Sequence, residues 1–377
     1  MWYQQSGLLL IRRATGLPKP IYLRNGWMST LDWTPALSRH HPRKLSYRHM
    51  VNTVSLTACP PQWAAGFAFS LNAAAFVGLT TVMLPPGATV NPELIIQICK
   101  RTGIQGLITP PSLIEELSRD QAGLELLKSF TYILWVGAGL SQSVGDALAP
   151  FTHLVPAIGS TERGLQISFE TEDTRMWNSF EFIPETGPRF EPVGDDLFEL
   201  HIDRSPESDM FQGIFHTLPN LNTTTTSELY SSAIDQYGSK RWIFQGRKDD
   251  LVKLVWLAKF HATHIENAIA KHDQVKSALV GGEGHDVPYI IIEPHDRSTI
   301  IDPRKFIDEI YGLVICNINQ KDDEAIQIPR EMVMLTDPAL PFKRTLKMTI
   351  LRKDIEKSYQ GHINDMYKKW EAQKASS

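Results

Sequence analysis

The chain has 377 residues, of which 42% are hydrophobic and 21% charged, a composition typical of a globular protein with a large and a small domain. The formal net charge of -4 and the lack of a basic run argue against a nucleic-acid partner. Three scattered cysteines are too few for a disulfide framework and indicate a reducing, cytoplasmic compartment.

Two apolar stretches near the N-terminus bear on targeting. The first residues lack a basic start and a small-residue cleavage site, so no signal peptide is predicted. Residues 64–84 carry no charge and are long enough to span a bilayer. Gly78 and the following Pro-Pro-Gly instead favour a buried helix, a turn and a short buried strand, and we predict no membrane span.

The pattern of the middle of the chain predicts a mixed architecture. Strands alternate with helices over residues 93–150, which indicates a parallel sheet covered by helices. Ligands of such sheets bind at the carboxyl ends of strands, where Gly139 and Ser160 are expected. Residues 167–225 resemble a twisted β region, with residues 213–219 among its strands.

The stretch at residues 242–250 reads Trp-Ile-Phe-Gln-Gly-Arg-Lys-Asp-Asp. After an apolar run ends at Gly246, Arg247 offers a planar fork of donors that suits hydroxyls or phosphate oxygens. Alone, the stretch also fits a strand, a turn and a solvated acidic pair. Its Gly-Arg-Lys-Asp-Asp resembles the hinge motif of adenylate-forming enzymes, most closely fungal synthetase-like adenylation domains and carboxylic acid reductases. The resemblance implies that Arg247 holds the ribose of ATP and that Asp249 is a hinge.

The resemblance covers nearly the whole chain and implies an α/β fold. Residues 1–248 would form a large adenylation-like subdomain, with a parallel sheet, helices and a β region, and residues 249–377 a small α+β subdomain. The chain begins late in the family's pattern, so the large subdomain is expected to be truncated. No carrier domain is expected after the last motif.

Residues 13–21 resemble the tail of the family's phosphate loop. Small residues in such loops let backbone N–H groups converge on phosphate oxygens. Pro18 keeps the pattern, as do the three implied nucleotide contacts: Thr15, Gly16 and Lys19. Arg12 and Arg13 replace small hydroxylated residues and cannot form a tight backbone nest, so triphosphate binding is expected to be weak or lost.

The best-kept motif is Ala-Ile-Gly-Ser-Thr-Glu-Arg-Gly at residues 157–164. The resemblance implies phosphate contacts from three residues: Gly159, Ser160 and Thr161. It also implies that Glu162 helps to hold magnesium, and Glu162 is our candidate for both a metal ligand and a catalytic group. Ile158 replaces the aromatic residue usual near adenine. Ser-Thr-Glu is also a good start for a helix, so a capping role stays open.

Two further motifs are altered. Residues 223–230 resemble the family's Thr-Gly-Asp-Leu segment, whose Asp grips the ribose hydroxyls, but Glu228 stands in that place. The extra methylene displaces the carboxylate by about 1 Å, to which bidentate geometry is sensitive. Lys347 matches the lysine of the final catalytic loop, although Met348 replaces one of its flanking glycines. Leu257 and Ala258 replace the family's Gly-Glu pair, which is expected to impair the second half-reaction.

The acyl pocket of the family indicates the substrate class. Residues 59–66 resemble the segment leading into one pocket wall, and residues 136–140 resemble a second. No carboxylate lies between Val51 and Pro92 to pair with a substrate ammonium, so a neutral, aryl or polyketide-like molecule is favoured over an amino acid. The expected pocket residues are Gln62, Trp63, Gly66, Gly137, Gly139 and Ile158. Trp63 fits packing at a helix start equally well.

Four histidines are candidates for metal binding or catalysis. His40, His41 and His49 lie in a polar segment and are interpreted as parts of a surface loop, because a metal site needs convergent ligands. His153 lies just upstream of the kept motif and fits either a catalytic group or a surface histidine.

Three functional hypotheses follow. The first is a repurposed protein of fungal secondary metabolism that performs a cyclisation, isomerisation or other acid/base step on a largely apolar, non-amino molecule. It requires no cofactor and uses Glu162, Arg247 and Lys347. The second is a residual ligase that activates a non-amino carboxylic acid with ATP and magnesium. The third is a non-catalytic module that binds or scaffolds a partner biosynthetic enzyme.

Overall fold

The computed structural model describes residues 5–11, 19–88, 90–194, 196–248, 251–255, 259–321, 326–344 and 350–376. Within this part of the chain, one compact unit ends at Gln245 and a second begins at Gly246.

Strands and helices alternate through the first unit. Its strands are β1 (Gln5–Ile11), β2 (Lys19–Arg24), β3 (Val54–Thr57), β4 (Thr80–Met83), β5 (Gly106–Thr109), β6 (Tyr132–Val136), β7 (His153–Ser160), β8 (Gly164–Gln166), β9 (Ser168–Phe169), β10 (Ser179–Phe182), β11 (Pro188–Gly194), β12 (Leu197–Asp203), β13 (Thr223–Ile234) and β14 (Lys240–Arg247), the last of which contains the unit boundary. Its helices are α1 (Asn25–His40), α2 (Ala64–Phe67), α3 (Ala73–Val77), α4 (Pro92–Arg101), α5 (Pro111–Leu117), α6 (Gln121–Ser129), α7 (Gln142–Leu148), α8 (Pro206–Phe211) and α9 (Gly213–Thr217).

A six-stranded sheet forms the first layer, in the order β4-β3-β5-β6-β7-β8. All its pairs are parallel except β7 with β8. Every residue of β5 is buried, as expected for a strand covered on both faces. Helix α4 begins where the Asn91 side chain accepts the N–H of Leu94 at 2.9 Å, with Pro92 in the first turn. The predicted parallel, helix-covered sheet is confirmed.

The second sheet has the order β11-β12-β13-β14-β10-β9. Stacked and edge-to-face rings of Phe180, Phe182 and Tyr230 fill its core. Strand β11 lies at one end of the sheet, contains two prolines and is mostly exposed.

The prediction of a strand at residues 213–219 is wrong, because residues 213–217 form helix α9. Ile214 and Phe215 of this helix are buried, as is Phe211 at the end of the preceding helix α8. The short apolar run did not distinguish a strand from a helix.

The uncharged segment at residues 64–84 folds as a helix, a turn and a strand, as predicted. Helix α2 continues through a π-helical turn (Ala68–Asn72) into α3, which ends at Gly78 with a left-handed φ of 72°. Strand β4 follows and is only half-buried, because it lies at the sheet's end. Among the residues described, no helix combines the length and apolar composition needed to cross a bilayer.

The second unit is a small α+β domain, also as predicted. Its elements are β15 (Leu251–Lys253), β16 (Lys259–His261), α10 (Ala262–Ile269), β17 (Val275–Gly281), β18 (Tyr289–Pro294), α11 (Pro303–Ile310), α12 (Cys316–Lys321), β19 (Val333–Leu335) and α13 (Arg352–Ser376). Strand β18 pairs antiparallel with β17 and parallel with β19. Four buried residues of α13 recur every fourth position and pack beside Leu279 and Ile291: Ile355, Tyr359, Ile363 and Tyr367.

Gly66 offers a test of the packing in the first unit. A methyl group added there would lie 1.9 Å from the carbonyl oxygen of Pro60, so backbone atoms would have to shift. We expect Gly66→Ala to lower the free energy of unfolding by about 1–3 kcal/mol, the usual cost of overpacking. Urea denaturation followed by tryptophan fluorescence measures it. Gly139→Ala is the control, because its added methyl meets no described atom within 4 Å. Equal midpoints for the two variants would contradict this packing.

Candidate functional site

The turn between β7 and β8 carries the best-kept motif. The Ser160 hydroxyl accepts the N–H of Arg163 at 3.2 Å, and the Thr217 hydroxyl donates to the Glu162 carbonyl at 2.9 Å. A Cβ added to Gly159 would lie 2.2 Å from the Gly164 carbonyl, so the strands close tightly at this point. The chain returns as β8 and does not enter a helix here, so the capping role considered for Ser-Thr-Glu is wrong.

The turn lies at the carboxyl end of β7, beside the end of the parallel strand β6. Ser160 is exposed, and Thr161 and Glu162 are half-buried. Gly137 and Gly139 follow β6, so the two expected ligand-binding segments lie at the same edge of the sheet. This is the edge at which open α/β sheets bind ligands.

A buried ion pair lies directly behind this turn. Arg163 is 4% exposed and Glu228, on β13, is 6% exposed. Arg163 Nη2 lies 2.9 Å from Glu228 Oε1 and 3.1 Å from Oε2. The Tyr230 hydroxyl donates to Oε2 at 3.2 Å. Burial and the adjacent Glu228 carboxylate raise the pKa of Tyr230 well above its usual range, so the phenol stays protonated and keeps donating.

An irregularity in β13 directs Glu228 inward. The pairing with β12 shifts register between Glu199 and His201, and Ser227 adopts a left-handed φ of 57°. The Thr226 hydroxyl donates to the Leu200 carbonyl at 2.9 Å, which fixes the bulge. Bulges commonly re-aim one side chain in this way. Ser227 stands where the family's segment has glycine, the residue that adopts a positive φ without steric cost.

Arg163 is a site residue that the sequence interpretation missed. The available signal was a basic residue next to Glu162, together with the longer carboxylate at position 228. Neither is informative until the fold brings β13 behind the β7–β8 turn. The consequence is that the Glu228 carboxylate, which the resemblance aligns with the ribose-binding aspartate, has a charged partner within the protein.

An apolar pocket lies beside the same turn. It is lined by α1, the helical segment at residues 64–77 and the start of β8, including Trp27, Leu31, Phe69, Ala73, Val77 and Leu165. Its volume is ≈ 20 Å³, enough for about one water molecule.

The predicted pocket residues lie elsewhere. Gln62 is exposed, Trp63 precedes α2 at its N-cap, and Gly66 packs on the backbone of Pro60. Gly137 and Gly139 are exposed, and Ile158 packs against the aromatic core of the second sheet. None of these residues lines the small apolar cavity, and their part in an acyl pocket stays a prediction.

The remaining predicted residues belong to other parts of the chain. Lys19 is the first residue of β2. Arg247 ends β14 and is exposed, directly after Gly246, whose φ is 125°. The other predicted residues lie outside the described residues: Thr15, Gly16, Asp249, Leu257, Ala258, Lys347 and Met348.

Both flanks of the Lys347 segment are anchored in the second unit. Arg344 pairs with Glu293 and donates to the Ser277 hydroxyl at 2.7 Å. Arg352 Nη2 lies 2.6 Å from a carboxylate oxygen of Glu266. Burial alone would raise the pKa of Glu293, but the hydrogen bond and the charge of Arg344 outweigh it and lower that pKa below its usual range.

The histidines are not placed as expected. His49 is buried in a 3-10 turn (Ser46–Met50), with Nε2 2.8 Å from Glu170 Oε1, so its assignment to a surface loop is wrong. A carboxylate distant in sequence supplies the partner that allows its burial. His153 is the first residue of β7 and Ser160 is the last. The rise per residue of a strand places them roughly 23 Å apart. His153 therefore does not join Glu162 in one site.

The Arg163–Glu228 pair is tested by removing one charge. Arg163→Met leaves Glu228 buried without its charged partner, and we expect a loss of about 3–5 kcal/mol in unfolding free energy. Adding Glu228→Gln should recover much of that loss. Arg189→Met is the control, because Arg189 and Asp203 are 42% and 41% exposed, and it should cost much less than Arg163→Met. Similar losses for Arg163→Met and Arg189→Met in chemical denaturation would show that the pair is not a buried one.

The Arg344–Glu293 pair predicts a pH dependence. Because the pKa of Glu293 is lower in the folded than in the unfolded chain, its contribution is full above about pH 4.5 and is lost as the pH falls further. Glu293→Gln should therefore destabilise the protein at pH 7 and progressively less below pH 4.5. Unfolding midpoints across this range measure the difference, with the exposed Glu331→Gln as control. A stability difference that is constant with pH would count against the pair.

Comparisons with known proteins match both units. The family described as AMP-binding enzyme matches residues 14–188, and the AMP-binding enzyme C-terminal domain matches residues 249–371. A carboxylic acid reductase of Neurospora crassa is 27% identical over 361 residues, covering 94% of this chain and 34% of the relative. The adenylate-forming reductase Nps9 of Serpula lacrymans is 25% identical over 377 residues, covering 95% and 33%. The chain thus spans about a third of the length of these relatives.

Solved structures show the same fold. ATP-bound MatB from Rhodopseudomonas palustris aligns with a TM-score of 0.66 at 16% identity, covering 96% of this chain and 70% of that one. The anthranilate CoA ligase AuaEII, in complex with anthranoyl-AMP, aligns with a TM-score of 0.66 at 16% identity, covering 94% and 66%. The two family matches and the relatives among fungal adenylate-forming reductases show that the chain belongs to the adenylate-forming superfamily.

Proposed function

We propose that this adenylation-like chain acts in fungal secondary metabolism on a largely apolar, non-amino small molecule, without activating it with ATP. The reaction would be an acid/base step such as a cyclisation or isomerisation. The observation that carries the proposal is the buried Arg163–Glu228 pair, in the place where the family has a ribose-binding aspartate.

The energetics of that pair oppose nucleotide binding. To accept both ribose hydroxyls, Glu228 would have to share acceptor positions that a buried guanidinium, at 2.9 and 3.1 Å, and the Tyr230 hydroxyl already use. Separating a buried pair leaves Arg163 uncompensated, at a cost of several kcal/mol. Hydroxyl groups are neutral donors and offset only part of that cost. ATP would therefore bind poorly even where the rest of its site is kept.

The pocket supports the substrate class. Its lining is apolar, and it contains no carboxylate that could pair with an ammonium group. An apolar acyl or aryl group suits such walls, with a polar group directed toward the β7–β8 turn. At ≈ 20 Å³ the pocket is much smaller than typical ligand sites, so a substrate must displace part of its wall.

Three residues are assigned the chemistry. Glu162 lies half-buried on the β7–β8 turn and is the proton-transfer group. By the resemblance alone, Arg247 and Lys347 would supply positive charge for a developing oxyanion. The reaction requires no cofactor, and under the alternative of a residual ligase Glu162 would instead hold the magnesium of ATP.

A non-catalytic binding module is the second candidate function. The small volume of the apolar pocket favours it, because a scaffold needs no substrate cavity. In this case the chain would contact a partner biosynthetic enzyme.

Calorimetry and pyrophosphate exchange test the proposal on the full chain. With Mg–ATP, we expect a dissociation constant near the millimolar range, about -4 kcal/mol, and no exchange with benzoate or salicylate present. A low micromolar constant, about -8 kcal/mol, together with exchange that Glu162→Gln abolishes, would establish the ligase alternative.

Binding of the aryl acids separates a catalyst from a scaffold. We expect salicylate to bind to the chain without ATP, and Ala73→Leu to weaken this binding because Ala73 lines the pocket. Ala74→Leu is the matched control, since Ala74 is the exposed neighbour on the same helix. No binding of either acid, or an equal effect of the two substitutions, would remove the pocket from the function and leave the scaffold.

A further inference from the structure

Three side chains from separate segments converge at the amino end of β7. His49 comes from the 3-10 turn, His153 is the first residue of β7, and Glu170 directly follows β9. One ligand atom from each of the three lies within 4.8 Å of the others. His49 Nε2 is 2.8 Å and His153 Nδ1 is 3.8 Å from Glu170 Oε1. The two imidazole rings have their centroids 4.8 Å apart.

These distances suit a tetrahedral metal ion. Zinc binds imidazole nitrogen at about 2.0–2.1 Å, which places neighbouring tetrahedral ligand atoms roughly 3.3 Å apart. The observed separations of 2.8 and 3.8 Å lie on either side of that value. His153 has a side chain 60% exposed, so its ring can rotate without disturbing the core. Two imidazoles and one carboxylate favour zinc and similar ions over magnesium or calcium.

The surroundings fix the carboxylate and leave one coordination position open. Arg48 donates to both carboxylate oxygens of Glu170, from Nε to Oε2 at 2.5 Å and from Nη2 to Oε1 at 3.2 Å, and His49 contacts Oε1 as well. Outer partners of this kind orient metal ligands, although the positive charge of Arg48 and of nearby Lys44 opposes a cation. A cleft with a volume of ≈ 50 Å³, lined partly by Ser46 and Thr152, has room for a coordinated water.

We propose that His49, His153 and Glu170 form a binding site for a divalent ion of the zinc class. The ion would connect the 3-10 turn, the start of β7 and the end of β9. The site lies at the end of β7 opposite to Ser160, so it is distinct from the site of the proposed function. Its role is to fix three segments of the large unit at the amino edge of the parallel sheet.

Metal titration of the chelator-treated full chain tests this site. Zinc binding is followed by competition with a chromophoric chelator, and cobalt by its visible absorption. We expect one equivalent of zinc with a micromolar or tighter dissociation constant, and an increase in the unfolding temperature on addition. The cobalt spectrum should be that of a four-coordinate nitrogen and oxygen site.

Variants locate the metal. His153→Ala changes an exposed side chain, so folding is retained, and zinc affinity should fall at least about tenfold with loss of the thermal shift. Glu170→Gln should do the same. His40→Ala is the matched control, at an exposed histidine on the end of α1, and should bind zinc as the natural chain does.

Several results would overturn the proposal. The first is no zinc uptake below millimolar concentration, and the second is unchanged uptake in His153→Ala. The third is that His40→Ala loses zinc uptake while His153→Ala keeps it. Equal competition by magnesium would also overturn it, since it would show nonselective attraction to surface carboxylates.

Discussion

The buried contact between Arg163 and Glu228 connects the two sheets of the large unit. Arg163 projects from the β7–β8 turn of the parallel sheet, and Glu228 from β13 of the second sheet. Burying two charges costs several kcal/mol per ion, and only close geometry with further hydrogen bonds offsets this. The bulge at Ser227 and the donated hydrogen bond of Tyr230 supply that geometry. The position of the kept motif therefore depends on Glu228, which lies outside the motif.

The apolar core and this polar contact make separate contributions to the large unit. Strand order, the helix-covered sheet and the turn after β7 are retained because they bury a large apolar core. The polar positions at the carboxyl edge make a smaller contribution to that core, and so can change without loss of the fold. In the large unit, the Arg163 guanidinium contacts the Glu228 carboxylate, which the resemblance aligns with the family's ribose-binding aspartate.

The sequence predicted the fold better than the site. Residues 64–84 were correctly divided into a helix and a strand at Gly78, because glycine at a left-handed position is a local signal. The helix at 213–217 was missed, because a five-residue apolar run carries no clear period. Arg163 contacts Glu228, which is 65 residues away, and His49 contacts Glu170, which is 121 residues away. No local sequence pattern predicts such contacts. Whether Lys347 and Asp249 act as the resemblance implies stays a prediction.

Strand β11 has a consequence for how the protein behaves at high concentration. It ends the second sheet, and its prolines at 188 and 192 have no N–H to offer to an incoming strand. Arg189 and Glu191 add charge along the same exposed backbone. Open sheet edges otherwise recruit strands from neighbouring molecules and start aggregation. The composition of this strand thus protects the folded chain from edge-to-edge polymerisation.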